Sequence, residues 1–157
     1  MKKQICKTDS VEQTVALGEA LGATLRGGEV FECRSDLGGG KTTLVRGVAA
    51  GAGSRDPVSS PSFTLCNTYQ TGSNLQLSHF DFYRLSEPGI MRNELAEVVD
   101  DPDAVVLVEW ADIVESVLPA QHATILIESV GDTARRITVS VPDGQGYLLE
   151  GLSEWSE

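Results

Sequence analysis

The feature that most constrains this chain is a glycine-rich segment, SDLGGGKTT, at residues 35–43. Residues 29–34 before it alternate apolar and polar side chains, which predicts a β-strand. Residues 42–50 after it predict an α-helix that ends at Gly51 and Gly53. A strand, a glycine loop and a helix in this order are the context that a phosphate-binding loop requires.

The loop carries the residue types that hold a nucleoside triphosphate and its magnesium ion. Glycines let backbone N–H groups turn toward phosphate oxygens, and the helix N-terminus adds its positive dipole. Lys41 is expected to reach the β- and γ-phosphates, Thr42 to ligate Mg²⁺, and Thr43 to bond the α-phosphate. We therefore predict that ATP and Mg²⁺ are bound by Asp36, Leu37, Gly38, Gly39, Gly40, Lys41, Thr42 and Thr43.

The first position of the usual loop pattern is not a glycine, because Ser35 stands there. Serine tolerates a positive φ less well than glycine, so the sequence does not determine the backbone path of the loop at this position. An ordinary glycine-rich turn is the alternative interpretation. Against it, each unneeded glycine costs about 0.5–1 kcal/mol, and Lys41 at a helix N-terminus opposes the dipole. A bound anion offsets both costs.

Two carboxylates are predicted to follow strands and to serve the metal. Glu109 ends the apolar run AVVLV and is expected at the C-terminal edge of a strand, where ligands bind in open α/β sheets. Asp81 ends another predicted strand. We assign Glu109 to Mg²⁺ and its water, and Asp81 to the same network as the residue that polarises the attacking water. Solvated carboxylates at strand ends are the alternative.

Further candidates lie after the predicted helix of the loop. Ser62 or Thr64 is expected to contact the γ-phosphate side of the metal as part of a nucleotide-sensing switch, with an ordinary turn as the alternative. Arg84 either neutralises charge in the transition state or pairs with an acidic neighbour. Trp110 is interpreted as a core or interface residue, and His79 as a structural residue.

The remaining pattern predicts an α/β fold of the P-loop NTPase type, a three-layer sandwich with a mixed central sheet flanked by helices. Ser10 and Gln13 form a capping box at the start of the first helix. The residues after 142 give only a weak indication of secondary structure. The predicted elements besides those around the loop are a helix at residues 11–26, a hairpin of residues 63–70 and 75–82, a short helix at Met91–Val99, a buried strand at Ala104–Glu109, a short helix at residues 113–118, and a hairpin of residues 124–130 and 136–141.

Length and charge limit the function classes. The 157 residues favour one domain, residues 1–157, and no apolar run is long enough to span a membrane. The net charge is −11, and only Arg84, Arg92, Arg135 and Arg136 are basic after residue 55. Nucleic acid held by the protein's own surface needs a basic footprint, which this part of the chain lacks. The acidity reflects solubility or a surface that docks on a basic partner.

The cysteines and histidines predict neither a disulfide framework nor a zinc site. The three cysteines, Cys6, Cys33 and Cys66, are an odd number and lack Cys-x-x-Cys spacing. The two histidines, His79 and His122, are the other candidate zinc ligands of the His and Cys type. Reduced thiols in a cytoplasmic protein are the simplest account.

Together these segments resemble the bacterial family of threonylcarbamoyladenosine biosynthesis ATPases, TsaE (YjeE). The specific part of the resemblance is HFDFYRL combined with VEW, because phosphate loops alone occur in many families. The segments that carry it are DLGGGKTTLVRG at 36–47, SPSFTL at 60–65, HFDFYRL at 79–85, VEW at 108–110 and LP at 118–119.

The resemblance implies a role in adding threonylcarbamoyl to the adenosine next to the anticodon of tRNAs that read codons beginning with A. It implies as partners a threonylcarbamoyl-transferase subunit and its inactive homologue, with tRNA contacted only through that complex. It maps the magnesium threonine onto Thr42, the strand-end glutamate onto Glu109, the essential aspartate onto Asp81 and the switch threonine onto Ser62. The sequence differs from the family's usual pattern at Ser35, at Ser62 and in the segment at 88–95.

Three function hypotheses follow. The first is a Mg²⁺-dependent ATPase, slow alone and stimulated by partners. The second is a nucleotide-dependent protein-binding switch whose hydrolysis is incidental. The third is a small-molecule P-loop kinase, which the scarcity of arginine after Arg92 disfavours.

Overall fold

The computed structural model describes residues 1–36, 40–61, 64–87 and 89–157. Their strands form one seven-stranded sheet in the order β1-β7-β6-β2-β5-β4-β3, with bounds β1 (Lys2–Thr8), β2 (Val30–Ser35), β3 (Cys66–Gln70), β4 (Gln76–Asp81), β5 (Ala104–Glu109), β6 (Ala123–Ser129) and β7 (Arg135–Val141). The α-helices are α1 (Val11–Gly22), α2 (Lys41–Gly51) and α3 (Met91–Val99), and 3₁₀ helices cover Ala111–Val117 and Gly146–Trp155.

The centre of the sheet is parallel and its margins are antiparallel. Strand β2 runs parallel to both β5 and β6, and β5 runs parallel to β4. The strands β1, β7 and β3 pair antiparallel with their neighbours. The C-terminal ends of β2, β4 and β5 therefore lie at the same edge, and Asp81 lies opposite Glu109 in the register of β4 and β5.

Both faces of the sheet are covered by apolar side chains. In β5, Val105 and Leu107 join the core formed with α1 and α2, whereas Val106 and Val108 join the core formed with α3 and the Ala111–Val117 helix. Every residue of β5 is buried. A strand covered on both faces has no reason to alternate polar and apolar residues, which explains its continuous apolar run.

Helices α1 and α2 pack at backbone contact through two glycines. A Cβ atom on Gly47 would lie 2.2 Å from the carbonyl oxygen of Val15, and one on Gly18 would lie 2.5 Å from that of Leu44. Larger side chains at these positions would push the helices apart, so the glycines fix how closely α2 approaches α1.

The predicted α/β architecture with a mixed sheet and flanking helices is confirmed, and both predicted hairpins form. The Ser10 side chain accepts a hydrogen bond from the backbone N–H of Gln13 at 3.1 Å, as the predicted capping box requires. Strand β1 and the Gly146–Trp155 helix were not predicted. Within the described ranges, no helix is long and apolar enough to cross a membrane.

The prediction that the first helix extends to residue 26 was wrong, because it ends at Gly22. The carboxylate of Glu29 accepts hydrogen bonds from the backbone N–H groups of Arg26 and Gly27, at 2.9 and 2.7 Å. The Tyr147 hydroxyl donates a third hydrogen bond to the same carboxylate. These contacts hold the chain in a turn where the sequence pattern alone continues the helix.

Candidate functional site

The site begins where β2 ends and α2 starts. Gly40 precedes the helix with φ 101°, a left-handed conformation that favours glycine, and its carbonyl accepts from Leu44 N at 3.0 Å. The Ser35 hydroxyl donates to the Asp36 carbonyl at 2.8 Å. Leu37, Gly38 and Gly39 lie outside the described residues. The first turn of α2 contains Lys41 and no acidic residue, so its dipole is uncompensated there.

Lys41, Glu109 and His79 form a buried chain of contacts across three elements. The Lys41 Nζ atom lies 3.1 Å from Glu109 Oε1, and His79 Nε2 lies 2.5 Å from Glu109 Oε2. The exposed side-chain fractions of Lys41, Glu109 and His79 are 10%, 4% and 0%. Glu109 thus has a different cationic or N–H partner on each oxygen.

These partners set the charge state of Glu109. Burial alone would raise its pKa, but the hydrogen bond from His79 and the positive charge of Lys41 outweigh burial and hold the pKa below the ordinary glutamate value. The carboxylate is therefore ionised at neutral pH. An ionised carboxylate accepts hydrogen bonds and ligates hard cations, but it has no proton to donate.

Asp81 lies beside Glu109 at the end of β4 and is 5% exposed. Its carboxylate accepts from Tyr83 N at 3.0 Å, and its own N–H donates to the Leu65 carbonyl at 3.0 Å. Leu65 has φ 67°, a left-handed conformation that is uncommon for a non-glycine residue. The backbone of the predicted switch segment is thus tied directly to Asp81.

Trp110 forms part of the mouth of the site rather than the core. It follows Glu109 with φ 58° and ψ 54°, and its ring centroid lies 5.3 Å from Lys41 Nζ. The Tyr83 ring packs against it with centroids 4.8 Å apart. Trp110 is 39% exposed and Tyr83 45% exposed. The turn in the backbone after β5 is what places the indole over the lysine.

A cavity of about 210 Å³ opens beside Lys41, with Ser35, Trp110 and Asp112 in its wall. Cys33 also lines it, and burial raises the pKa of its thiol. The cysteine is therefore an inert wall residue rather than a nucleophile.

Glu32 on β2 also lines this cavity and forms a cluster with two basic side chains. Its carboxylate accepts from Arg34 at 2.9 and 3.1 Å and from His122 Nε2 at 3.0 Å. Burial would raise the pKa of Glu32, but these hydrogen bonds outweigh burial and lower it. The cluster joins β2 to the segment before β6.

The other predicted residues are placed less centrally. The Thr64 hydroxyl donates to Asn67 Oδ1 at 2.8 Å, and Arg84 lies exposed in the turn after β4. Ser62 lies outside the described residues. Thr43 lines a separate cavity of about 30 Å³ with Arg135, opposite the start of α1.

His79 is a contact of Glu109 that the sequence analysis does not anticipate. The sequence analysis interprets His79 as a structural residue, and in the structure its ring contacts the Glu109 carboxylate. The signal was available, because alternate residues of a strand share a face and His79 precedes Asp81 by two residues. What could not be read from the sequence was that β5 lies beside β4 in the register that brings Glu109 to this face.

A glycine loop between a strand and a helix, with strand-end carboxylates beside its lysine, defines a protein of the P-loop NTPase type. Comparison with known proteins gives the family. The family model TsaE, described as "Threonylcarbamoyl adenosine biosynthesis protein TsaE", matches residues 8–137. The chain belongs to this family.

Individual relatives agree along most of the chain. The tRNA threonylcarbamoyladenosine biosynthesis protein TsaE of Bacillus subtilis is 37% identical over 158 residues, covering 98% of this chain and 96% of the relative. The protein of the same name from Nostoc is 36% identical over 80% of this chain and 77% of its own length. A crystal structure of Bacillus subtilis YdiB superposes with a TM-score of 0.74 at 32% identity, covering 98% of this chain and 95% of YdiB.

Proposed function

We propose that the protein is the ATP-binding and ATP-hydrolysing subunit of the machinery that adds threonylcarbamoyl to the adenosine next to the anticodon of tRNAs reading codons that begin with A. The observation that carries this proposal is the contact of Lys41, at the first turn of α2, with the strand-end carboxylate of Glu109. The family membership supplies the biosynthetic context.

Binding is proposed to use the loop and the start of α2. The loop amides and the Lys41 ammonium would hold the phosphates, and the positive end of α2 would favour their charge. Thr42, Glu109 and Asp81 offer only oxygen donors, which is the donor set that Mg²⁺ prefers. A bound Mg²⁺ would neutralise charge on the phosphates.

Hydrolysis is proposed to use the two carboxylates at the sheet edge. Glu109, which is ionised, would orient water once Lys41 has moved to the phosphates, and Asp81 would polarise the water from the neighbouring strand. Water oxygen forms a bond to the γ-phosphorus while the bond to the β,γ-bridging oxygen breaks, giving ADP and phosphate.

The proposed partners are the threonylcarbamoyl-transferase subunit and its inactive homologue, with tRNA reached only through them. The net charge of −11 supports binding to protein rather than direct capture of tRNA. We also propose that the protein is cytoplasmic and works as one domain.

The test is titration of ATP and ADP into wild type and Lys41→Ala by calorimetry. We expect the variant to lose at least about tenfold in affinity, since it removes the cation that contacts the phosphates. Lys7→Ala is the matched control, because Lys7 is an exposed lysine on β1 away from the loop. Equal affinities of wild type and Lys41→Ala would reject the assignment of the loop.

Glu109→Ala separates an ATPase from a binding switch. The ATPase proposal expects this variant to bind ATP and to fail in tRNA modification, assayed with the partner proteins. Modification that persists would favour a switch whose hydrolysis is incidental. Transfer of γ-labelled phosphate to a metabolite would favour a kinase instead.

A further inference from the structure

The carboxylate of Glu109 is shared between one partner that must move and one that does not. Lys41 reaches Oε1 through a flexible four-carbon side chain. Its ammonium is proposed to move from Glu109 to the phosphates when nucleotide binds. When it leaves, Oε1 becomes available to water or metal. Among the described residues, the contact of His79 Nε2 with Oε2 is then the one that still orients the carboxylate.

His79 is held too firmly to follow the nucleotide. It lies in β4, which is paired with β3 on one side and β5 on the other, opposite Asn67 and Leu107. Its side chain is 0% exposed. The ring is therefore expected to keep its place when Lys41 moves to the phosphates.

Glu109 faces the Lys41 ammonium through Oε1 and acts as an acceptor there, so its contact with His79 through Oε2 requires a proton on Nε2. Within the described part of the chain, His79 Nδ1 is buried and has no hydrogen-bond partner. Burial of an unpaired nitrogen is unfavourable, and an aliphatic side chain would fill the same space without it. The bond to Glu109 is thus the one described contact that explains a histidine here.

We propose that His79 is the positioning residue of Glu109, holding Oε2 in place while Lys41 releases Oε1 to the reaction. The inference rests on the proposed ATPase function. His79 acts through Glu109 and does not contact the nucleotide.

Two substitutions separate positioning from simple support of the core. His79→Leu fills the space without a donor, and His79→Gln restores an N–H donor near the place of Nε2. Ser78→Ala is the matched control, because Ser78 is a buried residue of the same strand on the other face. Circular dichroism and thermal melting of each variant establish that it is folded.

For His79→Leu we expect kcat to fall about 10- to 100-fold, as is usual when a group that orients a ligating side chain is removed. Its KM for ATP, and its affinity for ADP measured in EDTA, should stay within about twofold of wild type because Lys41 and the loop are intact. His79→Gln should recover most of the lost kcat, and Ser78→Ala should match wild type.

A second readout does not depend on activity or on a substitution of His79. The chain has two histidines, so ¹H–¹⁵N correlation spectra of wild type and His122→Gln assign the ring of His79. We expect a protonated Nε2 both in the free protein and after addition of ADP. An Nε2 that carries no proton in the free protein, or loss of the Nε2–H signal with ADP, would overturn the proposal.

The outcomes also separate this inference from the proposed function. If wild type hydrolyses ATP and folded His79→Leu keeps kcat within twofold, the positioning role is wrong and the ATPase stands. If His79→Leu and His79→Gln lose ADP affinity and kcat together, His79 only supports the core. If wild type neither binds nor hydrolyses ATP, the proposed function fails and this inference fails with it.

Discussion

Lys41 Nζ lies 3.1 Å from Glu109 Oε1, in a contact where the two side chains are 10% and 4% exposed. The cation proposed to bind the phosphates and the carboxylate proposed to orient water thus neutralise each other when no nucleotide is bound. Phosphate oxygens must compete with Glu109 for the ammonium. The pair therefore holds the Lys41 ammonium in place, but it opposes nucleotide binding.

Glu109→Gln should tighten ADP binding in the absence of Mg²⁺. The neutral amide competes less strongly for Lys41 and repels the phosphates less, so we expect a gain of roughly 3- to 10-fold, or up to about 1.4 kcal/mol. Calorimetry in EDTA measures it, with Glu97→Gln on the exposed face of α3 as the control. Weaker ADP binding by Glu109→Gln would contradict the competition.

Trp110 should report the movement of Lys41. Its ring centroid is 5.3 Å from Lys41 Nζ, so departure of the ammonium toward phosphate changes the electric field at the indole. Trp155 is the only other tryptophan in the sequence, and Trp155→Phe leaves Trp110 as the single emitter. We expect a saturable change of its emission with ADP. The same titration of Trp155→Phe combined with Lys41→Met should give a much smaller change, and an equal change would contradict the assignment.

The sheet edge could be predicted because its signals are local. A loop of glycines after a strand, and carboxylates after apolar runs, indicate ends of strands wherever the partners lie, and the prediction placed Glu109 and Asp81 at such ends. Their register as neighbours in β4 and β5 is a long-range fact. The roles of the loop residues, of Asp81, Glu109, Thr64 and Arg84, and of the single domain stay predictions.

The segments that were missed depend on distant partners. Strand β1 is exposed at most positions and gains its order from β7, which lies more than a hundred residues later. The Gly146–Trp155 helix contributes Leu148 and Leu152 to the core and sends Tyr147 to Glu29. Neither segment carries a strong periodicity of its own, so composition and spacing could not reveal them.

Gly47→Ala should destabilise the protein, because the added methyl group would collide with the backbone of α1. The added Cβ would lie 2.2 Å from the Val15 carbonyl oxygen in α1, which no side-chain rotation relieves. We expect the free energy of unfolding to fall by about 1–3 kcal/mol. Urea denaturation measures it. Gly151→Ala is the control, since its Cβ would meet ordinary contacts at 3.6 Å, and a loss as large as that of Gly47→Ala would contradict the packing argument.

Glu32 should make the free energy of unfolding depend on pH in the acidic range. Hydrogen bonds from His122 and Arg34 outweigh the effect of burial and hold its pKa below the ordinary value of about 4.3. The folded protein therefore takes up this proton at lower pH than the unfolded chain. Stability from Glu32 is fully present above the ordinary glutamate pKa and is lost as pH falls through the lower folded pKa.

Glu32→Gln should lower the free energy of unfolding by about 1–2 kcal/mol at neutral pH, because the hydrogen bonds from Arg34 and His122 then have a neutral amide oxygen as acceptor instead of a carboxylate. Urea denaturation of both proteins should show this gap shrinking as pH falls below about 4. Glu157→Gln removes an exposed carboxylate whose pKa is lowered by its hydrogen bond with Arg136, and it should leave stability unchanged because solvent screens that pair. A gap for Glu32→Gln that is equally large at neutral and acidic pH would show that its contribution comes from packing, since only a charge-dependent contact disappears on protonation.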